Sequence, residues 1–336
     1  MKTIRLSIIG FGAVGQGVAR VLRNKRDYLV RLGINLLVVA VTDSHGACID
    51  PDGLDLRAVL QRKKESGTVA TSNASSLDVI KNTDHDLVIE ATPTDIETGE
   101  PGLTHIIESF KHGRHVVTSN KGPLALQYKQ LYNEAKKHGV IFRFEATVGG
   151  AMPILNLAHD ALAGNRIISI EGILNGTCNY ILSRMTEESL SYKHVLGEAQ
   201  DLGIAESDPT YDVEGIDTAC KLVILANAIF EMDVMYGDVE VTGITKITSE
   251  ALSLANVENN VIRLIGEVQD GNKRIMRVAP RLIPKQHPLA VGGTLNVALL
   301  KTDTAGPICI SGKGAGSMET ASAILSDIIV ICHKNT

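Results

Sequence analysis

Asp217 and Lys221 stand four residues apart in a dense polar stretch, residues 206–221, a spacing that puts a carboxylate and an ammonium one turn apart on a helix. At a surface such a pair contributes only about 0.3 kcal/mol. Here Leu222, Val223, Leu225 and Ala226 follow at once, so the helix that Gly215 introduces is expected to run into a core. A lysine entering a core with a carboxylate one turn below it is the arrangement that holds a proton-transfer group in place. Cys178 and Cys220 have no evident histidine partner, the reading of small buried hydrophobes, and His85 between Asp84 and Asp86 reads as a loop residue.

A second constellation opens the chain. Residues 3–9 are rich in Ile and Leu, as in a strand buried on both faces, and Gly10-Phe11-Gly12-Ala13-Val14-Gly15 follows immediately. A helix is expected over 13–32 and a second strand over 36–41. Between strand and helix, the pattern G-x-G-x-x-G points to a dinucleotide: Gly10 for the tight turn, Gly12 for approach of a pyrophosphate, Gly15 for helix–strand packing, and helix-start amides for the phosphate charge. Asp43 ends the second strand, where an acid can bond the ribose hydroxyls, and is followed by Ser44. An acid there favours NAD, whereas Arg57, Arg62, Lys63 and Lys64 could clamp a 2′-phosphate or simply form a solvated helix face.

The elements that must hold these groups alternate through the first half. Strands are expected over 87–90, 115–118 and 140–144, with helices over 103–112 and 126–138. That alternation implies a doubly wound parallel sheet whose ligand lies across the carboxyl ends of its strands, where Thr92, Ser119 and Lys121 fall. After it, residues 145–153 contain Gly149, Gly150 and Pro153, a connector whose carbonyls could surround a monovalent cation. The second half holds expected strands over 167–174, 261–268, 274–281 and 295–301 and a small polar turn, Asn175-Gly176-Thr177, that opens a helix. Gly312, Gly314 and Gly316 precede a closing helix over 318–332. Three parts are expected: a nucleotide-binding domain over 1–150, a mixed α+β catalytic and dimerisation domain over 151–317, and a terminal helix over 318–336 packing back on the first.

Composition narrows the class. The chain has 336 residues, 44% hydrophobic and 21% charged, which suits two folded domains and excludes a disordered chain. A net charge of −5 argues against a nucleic-acid partner. The first apolar run breaks into glycines too early for a signal peptide, and the sequence offers no long uncharged stretch to enter a membrane. Five scattered cysteines without a Cys-x-x-Cys fit a reducing, cytoplasmic location and give no zinc spacing.

These residues together resemble the homoserine dehydrogenase family. The resemblance is carried by IGFGAVG, by TSNKGPLA around Lys121, by EATVGGAMP from Glu145, by GILNGTCNYIL from Gly172, by LGIAESDPTYDVEGIDTACK ending at Lys221 and by SGKGAGSMETASAILSDII, in that order over nearly the whole chain. It implies a Rossmann-type domain joined to a catalytic domain, and NAD(P)-dependent interconversion of L-aspartate 4-semialdehyde and L-homoserine on the path to threonine and methionine. It implies Lys221 as proton donor, with Asp217 and Lys121 beside it at the reacting centre. Glu206, Asp217, Asp212, Lys121 and Thr177 are implied as substrate ligands, Glu206 for the amino group. The cofactor set would be Gly10, Phe11, Gly12, Ala13, Val14, Gly15, Asp43, Ser44, Thr92, Ser119, Lys121, Gly203 and Gly316. A sodium ion would be held by Glu145, Val148, Gly150 and Met152, mostly through carbonyls, and a homodimer is implied. Relatives often carry Arg where this chain has Ser44, so NAD or NADP stays open. Because the chain stops soon after the closing helix, no ACT-type regulatory domain and little threonine feedback are expected. Aspartate-semialdehyde dehydrogenase is the nearest alternative and would need a thiol nucleophile with a histidine; a non-enzymatic NAD(H) sensor would need a DNA-reading module.

Overall fold

The structure, a computed structural model, describes residues 2–271 and 274–334. It divides into two compact units, Met1–Thr147 with Gly316–Thr336, and Val148–Ala315.

In the first unit β1 (Lys2–Ile9), β2 (Ile34–Asp43), β3 (Gly46–Ile49), β4 (Leu87–Glu90), β5 (His115–Thr118) and β6 (Phe142–Arg143) form one sheet in the order β3-β2-β1-β4-β5-β6. β1 runs parallel to β2 and β4, and β4, β5 and β6 continue parallel. Leu6, Ile8, Leu87, Val88 and Ile89 are wholly buried, as strands covered on both faces require. The sheet is mixed rather than purely parallel, because Asp43-Ser44-His45-Gly46 reverses the chain and lays β3 antiparallel on β2.

Three expected elements differ, the helix expected over 126–138 by beginning at Lys121 under an Asn120 cap. The helix over 13–32 is two helices, Ala13–Asn24 and Arg26–Arg31, since Lys25 leaves helical geometry at φ −100° and ψ 6°. The polar run Asn24-Lys25-Arg26 buries nothing that would hold one straight helix, and the bend brings Leu29 into the core. The strand over 140–144 shrinks to the two residues of β6, because Asp327 captures the chain at and beyond its end: Arg143 Nε lies 3.1 Å from the Asp327 Oδ1, and the Glu145 N–H donates to Oδ2 at 2.8 Å. Asp327 belongs to the closing helix Ser317–Lys334, whose Ala321, Ile324, Ile328 and Ile331 share a core with Ile8 and Val18. The Ser317 hydroxyl donates to the Ala13 carbonyl at 2.6 Å.

The second unit carries β7 (Ile167–Ile173), β8 (Glu240–Val241), β9 (Asn260–Gln269), β10 (Ile275–Pro284), β11 (Leu295–Thr302) and β12 (Pro307–Lys313), in the order β12-β11-β7-β9-β10-β8. Its pairings are antiparallel except that of β8 with β10. Sequence reasoning missed β12, where Pro307 and Gly312 dilute the strand pattern; the strand sits at the sheet edge, where proline is tolerated. Helices Gly176–Glu188, Ile216–Phe230 and Ser249–Val257 pack on this sheet, and the first two carry a buried polar cluster.

Candidate active site

Gly215 at φ +83° turns the chain into helix Ile216–Phe230, whose residues from Asp217 to Ala228 are all buried. Lys221 Nζ donates to Asp217 Oδ2 at 2.7 Å and to the Leu174 carbonyl at 2.6 Å. The side chains of Lys221 and Asp217 are 8% and 6% exposed. The spacing therefore yields a core ion pair, held also by a carbonyl from the end of β7.

Asn175 is the hub that sequence reasoning passed over. It caps helix Gly176–Glu188 by accepting from the Cys178 N–H at 2.9 Å, and its Nδ2 donates to Asp212 Oδ1 at 2.7 Å and Asp217 Oδ2 at 2.9 Å. The signal was an N-cap residue ahead of a small polar turn, but a cap announces only its helix, not which carboxylates its amide will bridge. Burial raises the Asp212 carboxyl above its ordinary value, against the lowering effect of the bond from Asn175. The Thr177 hydroxyl donates to the Ile204 carbonyl at 3.1 Å.

Of the expected substrate group, Asp212, Asp217 and Thr177 are thus gathered around Asn175, with the expected proton donor Lys221 on Asp217. Glu206 lies exposed on the loop beyond Gly203 (φ +68°), with its backbone carbonyl held by Gln200 Nε2 at 3.1 Å. Cys178 is wholly buried and its Sγ donates to the Asp212 carbonyl; burial and the neighbouring carboxylates push its thiol well above the usual range, the reverse of an activated nucleophile.

In the first unit, Gly10 (φ +94°) leaves β1 so close to the end of β4 that a Cβ there would meet the Ala91 carbonyl oxygen at 2.5 Å. A Cβ at Gly15 would lie 2.2 Å from the Gly10 carbonyl oxygen. A Cβ at Gly12 would meet nothing within 4 Å among the described residues. Two glycines are therefore needed by the protein itself, while the third leaves open space at the start of helix Ala13–Asn24, a cradle that fits a pyrophosphate. Phe11 is buried, Val14 half-buried and Ala13 exposed at that helix start. Thr92 and Ser119 follow β4 and β5, and Lys121 is the first residue of helix Lys121–Lys137. Gly316, at φ +130°, precedes the closing helix.

Asp43 is more deeply committed than a ribose ligand needs to be. Its carboxylate accepts from Lys63 Nζ at 2.8 Å, Thr68 Oγ1 at 3.0 Å, and the N–H groups of His45 at 3.0 Å and Val69 at 2.9 Å. Burial alone would raise its pKa; these donors outweigh burial and hold it at about 2. Of the four basic residues, Lys63 is thus the partner of Asp43, not part of an undifferentiated solvated face. Ser44 is exposed beside it.

Among the four residues expected at a cation, Glu145 lies in the first unit, 2% exposed, and Val148, Gly150 and Met152 lie in the second. Gly150 turns at φ +58°, and the Ala151 N–H donates to the Lys313 carbonyl at 2.9 Å. No group of three or more His, Cys, Asp or Glu suited to a metal occurs among the described residues, so an ion here would rely on carbonyls.

A glycine-lined cradle at the first βα turn and a buried lysine–carboxylate pair in a second, α+β unit define an NAD(P)-dependent oxidoreductase. The family pattern "Homoserine dehydrogenase, NAD binding domain" matches residues 10–145 and "Homoserine dehydrogenase" matches residues 153–329. The chain belongs to the homoserine dehydrogenase family. It is 56% identical over 332 residues to the homoserine dehydrogenase of Methanocaldococcus jannaschii, covering 97% of this chain and 98% of that one. It is 36% identical to the NAD(+)-dependent homoserine dehydrogenase of Pseudomonas canavaninivorans, over 100% and 98% of the two chains. A hyperthermophilic archaeal homoserine dehydrogenase solved in complex with NADPH superposes with a TM-score of 0.84 at 28% identity, over 99% of this chain and 98% of that one. No helix among the described residues is long and apolar enough to cross a membrane.

Proposed function

We propose that this chain interconverts L-aspartate 4-semialdehyde and L-homoserine, with Lys221 as the proton donor to the carbonyl oxygen in the direction of reduction. When bound, NAD(P)H supplies the hydride that adds to the aldehyde carbon. Negative charge then develops on the oxygen, where an ammonium both stabilises it and delivers the proton that completes the alcohol. The observation that carries this reading is the buried Lys221–Asp217 pair, fixed from a second side by the Leu174 carbonyl. In the reverse direction the amine takes the hydroxyl proton as hydride leaves the carbon.

Asp217, Asp212 and Thr177 line the same cluster, and their oxygens suit an amino-acid substrate; Glu206, from its exposed loop position beyond Gly203, supplies a carboxylate for the amino group. The nucleotide-binding residues are Gly10 to Gly15, Asp43, Ser44, Thr92, Ser119, Lys121, Gly203 and Gly316, with Lys121 at the nicotinamide and substrate end. The residues present suit this division: residues 1–150 bind the dinucleotide, 151–317 bind substrate and form a homodimer, and the terminal helix 318–336 belongs with the first. Asp43 and Lys63 cancel one another's charge at 2.8 Å, so both dinucleotides fit and Lys63 decides between them. A sodium ion suits the carbonyls of Val148, Gly150 and Met152.

A thiol-dependent semialdehyde dehydrogenase is disfavoured by the buried Cys178, whose thiol is held protonated. The test follows reduced-nicotinamide absorbance with L-homoserine and either dinucleotide. Activity in the intact protein and its loss in Lys221→Ala are expected; inactivity with both cofactors would remove the proposed reaction.

A further inference from the structure

Glu90, the last residue of β4, is wholly buried, and neither dinucleotide binding nor proton transfer as assigned to this chain uses it. Its Oε1 accepts from the Thr92 N–H at 3.0 Å and from the Thr92 hydroxyl, and its Oε2 accepts from the Thr118 hydroxyl at 2.7 Å. Both threonines are in turn acceptors for Asn120: its N–H donates to Thr118 Oγ1 at 3.0 Å and its Nδ2 to Thr92 Oγ1 at 3.4 Å. Asn120 Oδ1 then caps helix Lys121–Lys137 by accepting from the Gly122 N–H at 3.2 Å.

The circuit is closed and one-directional. Asn120 donates to two hydroxyls, each hydroxyl donates onward, and both bonds end on Glu90. Each threonine oxygen has one proton to give, so the ring closes only if position 90 offers two acceptors side by side. A carboxylate does; an amide offers one. Burial raises the Glu90 carboxyl above its ordinary value, while the bonds from Thr92 and Thr118 oppose that rise, so those bonds are what the carboxyl has in place of water.

The ring also has no slack toward its neighbours. Gly10 of the nucleotide loop abuts the Ala91–Thr92 peptide, and a Cβ on Gly122 would meet the Asp95 carbonyl oxygen at 2.0 Å. Glu90 therefore ties the turn after β4 to the first residues of the helix that follows β5, and the first of those is Lys121.

We propose that Glu90 is a positioning residue for the reaction: through Thr92, Thr118 and Asn120 it fixes the helix start that carries Lys121. The proposal rests on the reading of Lys121 as a residue at the nicotinamide and substrate end.

The experiment is a double-mutant cycle in the whole protein. Glu90→Ala should lower kcat at least tenfold. Glu90→Gln, which keeps one acceptor of two, should fall between wild type and Glu90→Ala. In a Lys121→Ala background Glu90→Ala should lower kcat no further, because what it positions is already gone. Effects that multiply across the two sites, or an unchanged kcat in Glu90→Ala, would overturn the proposal. Should Glu90→Ala fail to fold, Thr118→Val breaks the same circuit with matched shape and is entered in its place. Amide exchange at Gly122 reads the circuit without catalysis: it should speed up at least tenfold in either variant, and unchanged exchange overturns the proposal. Wild-type kcat in Lys121→Ala with accelerated Gly122 exchange would instead remove the role of Lys121, and with it the proposal, while leaving the circuit and the proposed reaction standing.

Discussion

Lys221 Nζ sits 2.7 Å from Asp217 Oδ2, one helical turn away, and the same carboxylate oxygen accepts from Asn175 Nδ2 at 2.9 Å. The carboxylate is thus shared between the ammonium and a fixed amide, which holds it in one orientation and the lysine with it. Asp217→Asn is expected to lower kcat by about 10²-fold or more, on the scale of a positioned proton-transfer group. It also leaves a buried ammonium without its counter-charge, which costs about 3 kcal/mol when one partner of a buried pair is removed. Steady-state kinetics and a denaturant melt on the same preparation check both effects; wild-type kcat in Asp217→Asn would show that the pair is only structural.

The glycine loop separates folding from binding. Gly10→Ala puts a Cβ 2.5 Å from a backbone oxygen at φ +94°, so loss of folded protein is expected. Gly12→Ala meets no atom of the chain within 4 Å among the described residues and should leave thermal stability nearly unchanged. The new methyl would occupy the pyrophosphate's approach, so dinucleotide affinity should fall about tenfold or more. Fluorescence titration with NAD(P)H beside a thermal melt tests the contrast, and unchanged affinity in Gly12→Ala would move the phosphate site elsewhere.

The contrast also shows what was legible in the sequence. β1, the glycine turn and the entry of Lys221 into a core could be read because each is local: an apolar run, a spacing, a helix period. Asn175, Glu90 and the Asp43–Lys63 pair could not, because their meaning depends on residues far along the chain meeting them. Asn175 reaches Asp212 and Asp217 only after the sheet and two helices form, and Lys63 reaches Asp43 only because helix Leu56–Ser66 returns to the end of β2. β6 is short for a similar reason, since Asp327 from the closing helix claims the backbone beyond it. Tertiary capture overrides local pattern at each of these points.

Lys63 offers a handle on cofactor choice. Lys63→Met removes a positive charge 2.8 Å from Asp43 and leaves the carboxylate uncompensated where the second strand ends. A 2′-phosphate would feel that negative charge and a ribose hydroxyl would not, so the ratio of NADP to NAD affinity should fall about five- to tenfold, near 1 kcal/mol at an exposed ligand. Side-by-side titration of the two dinucleotides reads this ratio. A ratio equal to wild type would place the 2′ position away from this pair.

His85 gives the fold an acid limit. The ring is wholly buried, neither nitrogen has a side-chain hydrogen-bond partner among the described residues, and burial, aided by the nearby Arg114 charge, pulls its pKa down to about 4. The unfolded chain takes up this proton near pH 6.5, so between pH 6.5 and 4 it binds more protons than the folded one and stability falls as pH falls. The loss is of order 3 kcal/mol once pH is below about 4. Asp43 contributes over a lower window: its stabilising bonds are intact above the ordinary carboxylate pKa and are lost as pH falls toward about 2. His85→Met keeps an apolar filling without the titrating ring, so its melting temperature should decline less than wild type's from pH 6.5 to 4, while the two should fall together below that range. Parallel curves through the upper range would mean that His85 charges in the folded chain without cost.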